Sequence, residues 1–235
     1  MKSCLFATMV AVALTRVTWA DGLVYQLPED GALVRYETEL AINANGQEIN
    51  AKGTVSLSSV GQVDVDNEKC RWIELKLLLN HDGQEHPALI KALIPEKHLG
   101  KGKGGAENLI RAWVKEGEGE PMEIRDVKTH QAIALRAFLA GPLKNPGDLD
   151  KAEVDGKLGK LECAGVTGDQ EIDFENNTIT MNYENRLHEK SPFGLVTGAW
   201  KFELRNNGQT ALTGTFKLTL VDTSTTALSE LPDRK

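Results

Sequence analysis

The stretch that decides the fold class is LVRYETELAINANGQEINAKGTVSL, residues 33–57. Apolar and polar side chains alternate along residues 33–42, which predicts a half-buried strand. Asn45-Gly46 supplies the positive φ angles that a tight hairpin turn needs, and the alternation resumes along residues 49–57. Two alternating strands joined by a short turn predict an antiparallel hairpin with one face on a core and the other in water.

The same alternation recurs elsewhere in the chain. Residues 71–79 and 88–94 predict a second hairpin around Asp82-Gly83, and residues 200–220 predict another around a turn at 206–208. A further pair of strands meets at Asn176-Asn177. These segments predict a curved, largely antiparallel sheet of about eight or nine strands, since tight turns join neighbours in antiparallel sheets.

Between the two β regions the spacing of the apolar residues changes. It becomes helical near residues 105–116, and a second helix is expected near residues 130–140 after a possible cap at Thr129. The stretch from Pro142 to Lys160 is rich in glycine, proline and charge, which predicts a long connection. The predicted fold class is therefore α+β, with two helices inserted mid-chain between β regions.

Residues 1–20 have the pattern of a secretory signal peptide. Lys2 precedes an apolar run that ends at Leu14, and Thr18-Trp19-Ala20 is a small-residue cleavage site. The run is shorter than the roughly 20 residues that a membrane span requires, and no later segment is apolar enough to cross. We expect an exported chain, periplasmic or extracellular, with a single β-rich domain over residues 21–222 and a polar tail over residues 223–235.

Composition argues against several classes of protein. The 235 residues include 27 Lys and Arg against 34 Asp and Glu, and 40% of the chain is hydrophobic. A formal net charge of -7 argues against a nucleic-acid binder, because phosphate affinity comes from clustered basic residues. The chain has no GxSxG or HExxH motif, and no SxxK motif follows the leader, so no catalytic residue, metal site or cofactor is predicted.

The cysteines allow two interpretations. Cleavage would remove Cys4 and leave Cys70 and Cys163 in an oxidising compartment, where an even pair predicts a disulfide. Two buried free thiols are the alternative, because the sequence does not establish that the two side chains lie within reach of each other.

A basic, glycine-rich loop follows the fourth predicted strand. Residues 100–105 match GxGxxG, but the strands are predicted to be antiparallel, whereas a dinucleotide site needs a tight βαβ turn. One interpretation is a mobile surface loop that binds nothing. The functional one is a contact site for an anionic group on a lipid, glycan or protein. Its candidate residues are Lys97, His98, Lys101 and Lys103.

Aromatic residues near the end of the chain are candidates for contact with an apolar ligand. Phe193 lies in a Ser-Pro-Phe-Gly turn, where it either contacts a ligand at the rim of the sheet or folds back on the core. Trp200, Phe202 and Phe216 lie on the apolar faces of the last hairpin. All four are therefore candidate ligand-facing residues.

Four segments carry a resemblance to a known group of proteins. The leader, residues 90–113 with IKALIPEKHLG, residues 160–168 with KLECAGVTG, and residues 191–196 with SPFGLV resemble an uncharacterised family of small exported bacterial proteins. More distantly, the expected architecture is similar to the lipoprotein-carrier fold, an unclosed barrel that shelters acyl chains on its concave face.

These resemblances imply an exported, non-catalytic carrier or sensor of an apolar small molecule or lipid. Such a protein would have more apolar surface than its helices fill. The alternative is an envelope interaction module that binds a protein or a glycan and has a packed interior. A hydrolase without a recognisable motif is the third hypothesis.

Overall fold

The computed structural model describes residues 23–126, 128–129, 132–139 and 143–231. The expected signal peptide, residues 1–20, and the last four residues of the expected tail lie outside the described residues. Within the described ranges, no helix is long and apolar enough to cross a membrane.

Eleven strands form one continuous antiparallel sheet. Its order is β6-β5-β4-β3-β2-β1-β11-β10-β9-β8-β7, so β1 and β11 join the two halves of the chain, and the edge strands β6 and β7 leave the sheet unclosed. The strands are β1 (Leu33–Ala44), β2 (Gln47–Val65), β3 (Glu68–His81), β4 (Gln84–Pro95), β5 (Arg111–Glu116), β6 (Met122–Glu123), β7 (Lys144–Gly156), β8 (Gly159–Phe174), β9 (Asn177–Leu187), β10 (Leu195–Asn206) and β11 (Gln209–Ser224).

The helical content is lower than the sequence predicts. Among the described residues there is one α-helix, α1 (Ile133–Phe138), which lies inside the expected 130–140 segment. The prediction of a helix near residues 105–116 is wrong, because Ala106–Asn108 is a single 3-10 turn and Arg111–Glu116 forms β5. Val114 pairs with Ile90 of β4, so the free edge of β4 draws this short segment into the sheet. Tertiary pairing overrides a helical spacing that spans so few residues.

The long connection expected from Pro142 to Lys160 is also wrong, because most of it is the edge strand β7. β7 pairs with β8 through two irregular positions, which interrupt the simple alternation of a strand. Its many charged side chains protect an exposed sheet edge from pairing with other chains, and they are the reason the segment resembles a loop. Over the described residues the sheet has eleven strands, so the predicted count of eight or nine is corrected.

The core lies on the inner face of the sheet. Helix α1, residues 23–25 and the loop between β4 and β5 pack onto this face and bury Val34, Tyr36 and their neighbours. The outer face is largely polar, as expected for an antiparallel sheet with one wet side.

Candidate functional site

The centre of the inner face is filled by an aromatic cluster. The ring of Phe138 in α1 lies 5.3 Å from that of Trp200 and 5.7 Å from that of Phe216, between centroids. Trp200 is also 5.0 Å from Tyr183. Trp200 is 2% exposed, so the chain's own helix occupies the position where these side chains were expected to meet a ligand.

Helix α1 is anchored at its C-terminal end by donors from four parts of the chain. The carbonyl groups of residues 136–139 accept hydrogen bonds from Gln170 Nε2, Tyr183 Oη, and the backbone amides of Leu23 and Ala106. The last carbonyls of a helix lack partners within it, so these contacts satisfy groups that would otherwise be buried unpaired. Helix α1, which we call the plug, is therefore held in a fixed position on the inner face.

A buried polar network lies beside the plug. Asn185 donates to Tyr25 Oη at 2.8 Å and accepts from Trp200 Nε1 at 2.8 Å. Tyr36 donates to the carbonyl oxygen of Leu195 at 3.1 Å, and burial raises the pKa of Tyr36 well above its ordinary value. The phenol stays neutral, and the network orients aromatic rings rather than offering a charge to a ligand.

Phe193 closes the covered end of the inner face. It is fully buried, and its carbonyl accepts a hydrogen bond from the Tyr25 amide at 2.8 Å. Gly194 follows with a φ of 91°, a left-handed conformation that favours glycine. The Phe193 side chain therefore folds back on the core in this structure.

The inner face is open at the end of the sheet that carries the β1–β2, β3–β4 and β10–β11 turns. There the apolar side chains are only partly buried, and Leu40, Leu77, Ile179 and Phe202 pack against the edge of the buried core. We call this surface the mouth. It consists of Leu40, Ile42, Leu77, Leu79, Ile179, Phe202, Leu204 and Leu212.

The strand register makes the mouth continuous across the sheet. Leu212 in β11 is paired with Leu204, and Leu204 is paired with Ile179. Two residues further along β11, Gly214 is paired with Ile42 of β1 on one side and with Phe202 of β10 on the other. Of the four aromatic candidates, Phe202 is the one that reaches the mouth, while Phe193, Trp200 and Phe216 are buried. In the sequence, the other residues of the mouth have only the pattern of ordinary apolar strand positions.

Helix α1 borders the mouth on the side of β8. Arg136 Nη1 donates to the Asp173 carbonyl at 2.6 Å, which ties the helix to the end of β8. An open groove of about 580 Å³ is lined mainly by hydroxyl, amide and charged side chains of the outer face, together with Ile42 and Phe202. The mouth is the partly exposed part of the apolar inner face.

The basic loop is tied to its surroundings. Lys97 forms an ion pair with Glu68, and the Lys101 amide donates to the Tyr25 carbonyl at 2.9 Å. His98 is half-buried and Lys103 is exposed. The ion pair offsets the charge of Lys97, so the structure does not present the four candidates as one uniform cationic surface.

Cys70 and Cys163 are free thiols, so the predicted disulfide is not formed in this structure. Cys70 Sγ donates to the Glu68 carbonyl at 3.3 Å, whereas Cys163 packs with Leu161 and Val196 in a small separate cluster. Burial raises the pKa of both thiols, which favours their protonated form. Their surroundings match the alternative of two buried cysteines. Within the described residues, no three His, Cys, Asp or Glu side chains are grouped to hold a metal ion.

Comparison with known proteins gives structural similarities without a family. No family model matches the chain, and no curated protein matches its sequence. A DUF1329 family protein from Desulfovibrio piger is 10% identical with a TM-score of 0.33, over 83% of this chain and 86% of its own. A protein described as exported, with a YmcC-like fold, from Bacteroides fragilis is 9% identical with a TM-score of 0.32, over 86% of this chain and 100% of its own.

A third similar structure is described as an outer membrane lipoprotein-sorting protein domain from Vibrio parahaemolyticus. It is 9% identical with a TM-score of 0.31, over 86% of this chain and 89% of its own. The three descriptions agree with the resemblances drawn from the sequence, to an uncharacterised exported family and to lipoprotein carriers. At these TM-scores the similarities carry no weight for the ligand or the role of this chain.

Proposed function

We propose that this protein is an exported, non-catalytic binding protein that takes up an apolar small molecule or lipid in the mouth. The observation that carries the proposal is the row of partly exposed apolar side chains on the unclosed sheet, continuous with the core. A contiguous apolar surface that stays accessible is typical of a site that binds an apolar ligand.

The mouth is suited to one end of an acyl chain. Burying about eight methylene groups would contribute roughly 6 kcal/mol, at about 0.8 kcal/mol for each group. Loss of translational freedom and ordering of the chain offset part of this gain, so the expected affinity is modest. A reversible carrier or sensor needs such an affinity, because it must release its ligand.

The plug sets the depth of the proposed site. Phe138 covers Trp200 and Phe216, and the end of α1 is hydrogen-bonded to its surroundings. A ligand therefore enters from the hairpin end, contacts Phe202 and Leu212, and stops against α1. Export to the periplasm or the exterior is inferred from the signal-peptide pattern of residues 1–20.

Charge placed in the mouth tests the proposal. Leu212 and Thr213 are neighbours in β11 that face opposite sides of the sheet, so Leu212→Glu and Thr213→Glu form a matched pair. We expect L212E to weaken binding of a fluorescent fatty acid by at least about tenfold, because one methylene-sized loss already costs about 0.8 kcal/mol and a buried carboxylate costs more. T213E should bind as the unmodified protein does, in a fluorescence titration.

Native mass spectrometry of the unmodified protein, purified from its own cell envelope, adds the identity of the ligand. We expect a bound lipid-sized mass that is lost in L212E and kept in T213E. Equal binding by both variants, or an apo mass with no extractable lipid for the unmodified protein, would contradict the proposal.

A further inference from the structure

The segment after β11 reaches a buried ion pair on the outer face of the sheet. Glu74 in β3 and Lys91 in β4 are register partners, and their charged atoms lie 3.8 Å apart. They are 3% and 1% exposed although they belong to the outer face. Residues 225–231, which we call the tail, reach this pair from the end of β11.

Both charged groups bind the end of the tail. The Glu74 carboxylate accepts the Glu230 amide at 2.9 Å, the Leu231 amide at 3.2 Å and the hydroxyl of Ser229. The Lys91 ammonium donates to Ser229 Oγ at 2.7 Å and to the Leu231 carbonyl at 2.9 Å. Buried charges need such partners, because an unpaired charge in a poorly solvated site is strongly disfavoured.

Most of this recognition is of the peptide backbone. The two amides and the carbonyl that bind Glu74 and Lys91 are groups that almost any peptide presents. Side chains add preference: the Ser229 hydroxyl lies between the two charges, Leu231 is 4% exposed, and Glu230 pairs with Lys76 at 2.7 Å. The site therefore selects a short segment of the form Ser-acid-Leu.

Before it reaches the pair, the tail is attached at Ala227, whose amide donates to the Gly31 carbonyl at 2.9 Å. An open space of about 470 Å³ is lined by tail residues 225–229, by residues 30 and 31 before β1, and by residue 60 in β2. Leu228 is 86% exposed. The tail is therefore held at Ala227 and again where it meets Glu74 and Lys91, and the Leu228 side chain between these two points faces solvent.

We propose that Glu74 and Lys91 form a peptide-binding site for a Ser-acid-Leu segment of another protein, and that the tail occupies this site as a built-in competitor. A tethered tail has an effective concentration near the millimolar range, so a partner must exceed that competition to bind. The site lies on the face opposite the mouth and does not depend on a ligand there.

A labelled peptide that contains the tail sequence tests whether the site accepts a peptide from outside. The probe is a fluorescein-labelled peptide of residues 225–235, TTALSELPDRK. The protein is the full chain with Ser229→Ala and Leu231→Ala, which weaken its own tail. We expect the probe to bind this variant in fluorescence anisotropy, and to bind the unmodified chain at least about tenfold more weakly because of the tethered competitor.

Two controls locate the binding. Adding Lys91→Met to the weakened-tail variant should abolish the anisotropy change, and a probe with the same two alanine substitutions should not bind. A folded weakened-tail variant that ignores the probe, or binding that survives K91M, would overturn the proposal.

Hydrogen exchange on the unmodified chain tests the proposal without a variant. The amides of Glu230 and Leu231 should exchange at least about tenfold faster than ladder amides of β3, because a competitor must leave while the sheet stays folded. Exchange as slow as that of β3 would show that the tail is a fixed part of the fold, and the proposal would fail.

Discussion

Two glycines show how single residues shape the inner face. A Cβ atom at Gly198 would lie 2.9 Å from Asn185 Oδ1 and 3.0 Å from Trp200 Nε1, the two atoms of a buried hydrogen bond. A Cβ atom at Gly214 would meet the ring of Phe202. Both positions therefore require the absence of a side chain, one under the polar network and the other under the mouth.

Gly198→Ala should destabilise the protein by about 1–3 kcal/mol, the usual cost of overpacking a filled core. The added methyl group pushes Asn185 and Trp200 apart and weakens their hydrogen bond. Denaturant unfolding, followed by circular dichroism, measures the change. Ala199→Val is the control because Ala199 is exposed on the other face, and equal stability of the two variants would contradict this account.

At the scale of elements, α1 shows how a short helix can be held in place by its surroundings. Six residues are too few for a helix to be stable alone. Hydrogen bonds to its last carbonyls and the packing of Phe138 on Trp200 supply what the local sequence lacks. The opposite happens near Trp113, where helical spacing is present but the edge of β4 captures the segment as β5.

Phe138→Ala should lower the free energy of unfolding by about 3–5 kcal/mol, because it removes a buried ring from the centre of the aromatic cluster. In a background with Trp72→Phe and Trp113→Phe, the emission of Trp200 should shift to the red as its cover is lost. Ile133→Ala, at a partly buried position of α1, should cost clearly less. Similar losses in the two variants would argue against α1 acting as a plug through Phe138.

At the scale of the whole molecule, the pairing of β1 with β11 joins the first and last parts of the chain into one sheet. Cys70 lies in β3 and Cys163 lies in β8. Because β1 and β11 are neighbours, several strands separate the two cysteines in the sheet order. Their burial in separate surroundings explains why an even number of cysteines does not lead to a disulfide here.

The protein exported through its own leader should therefore contain two free thiols per chain. Without reductant, Ellman's reagent should detect both after denaturation in guanidinium. In the native protein they should react slowly at neutral pH, because burial raises the pKa of each thiol and limits access. Reaction should become faster as the pH rises toward those pKa values. Detection of no thiol in the denatured, unreduced protein would show that the two cysteines pair.

The hairpins could be predicted from the sequence because their signals are local. Alternation along residues 33–42 and the Asn45-Gly46 turn specify which side chains share a face, and the structure has this hairpin as β1 and β2. The same reasoning identified Phe202 as an inward-facing aromatic residue. It could not separate Phe202 from Trp200, because both have the same strand pattern.

The sequence by itself determined that this protein is a largely antiparallel sheet with one apolar face, since period-two alternation and turn residues act over a few positions. Only the tertiary structure decided which part of that face α1 covers, which part stays open as the mouth, and that the tail meets Glu74 and Lys91. These contacts join residues far apart in the chain. Their selection depends on the edges and surfaces that remain after the sheet has formed, and no local pattern records it.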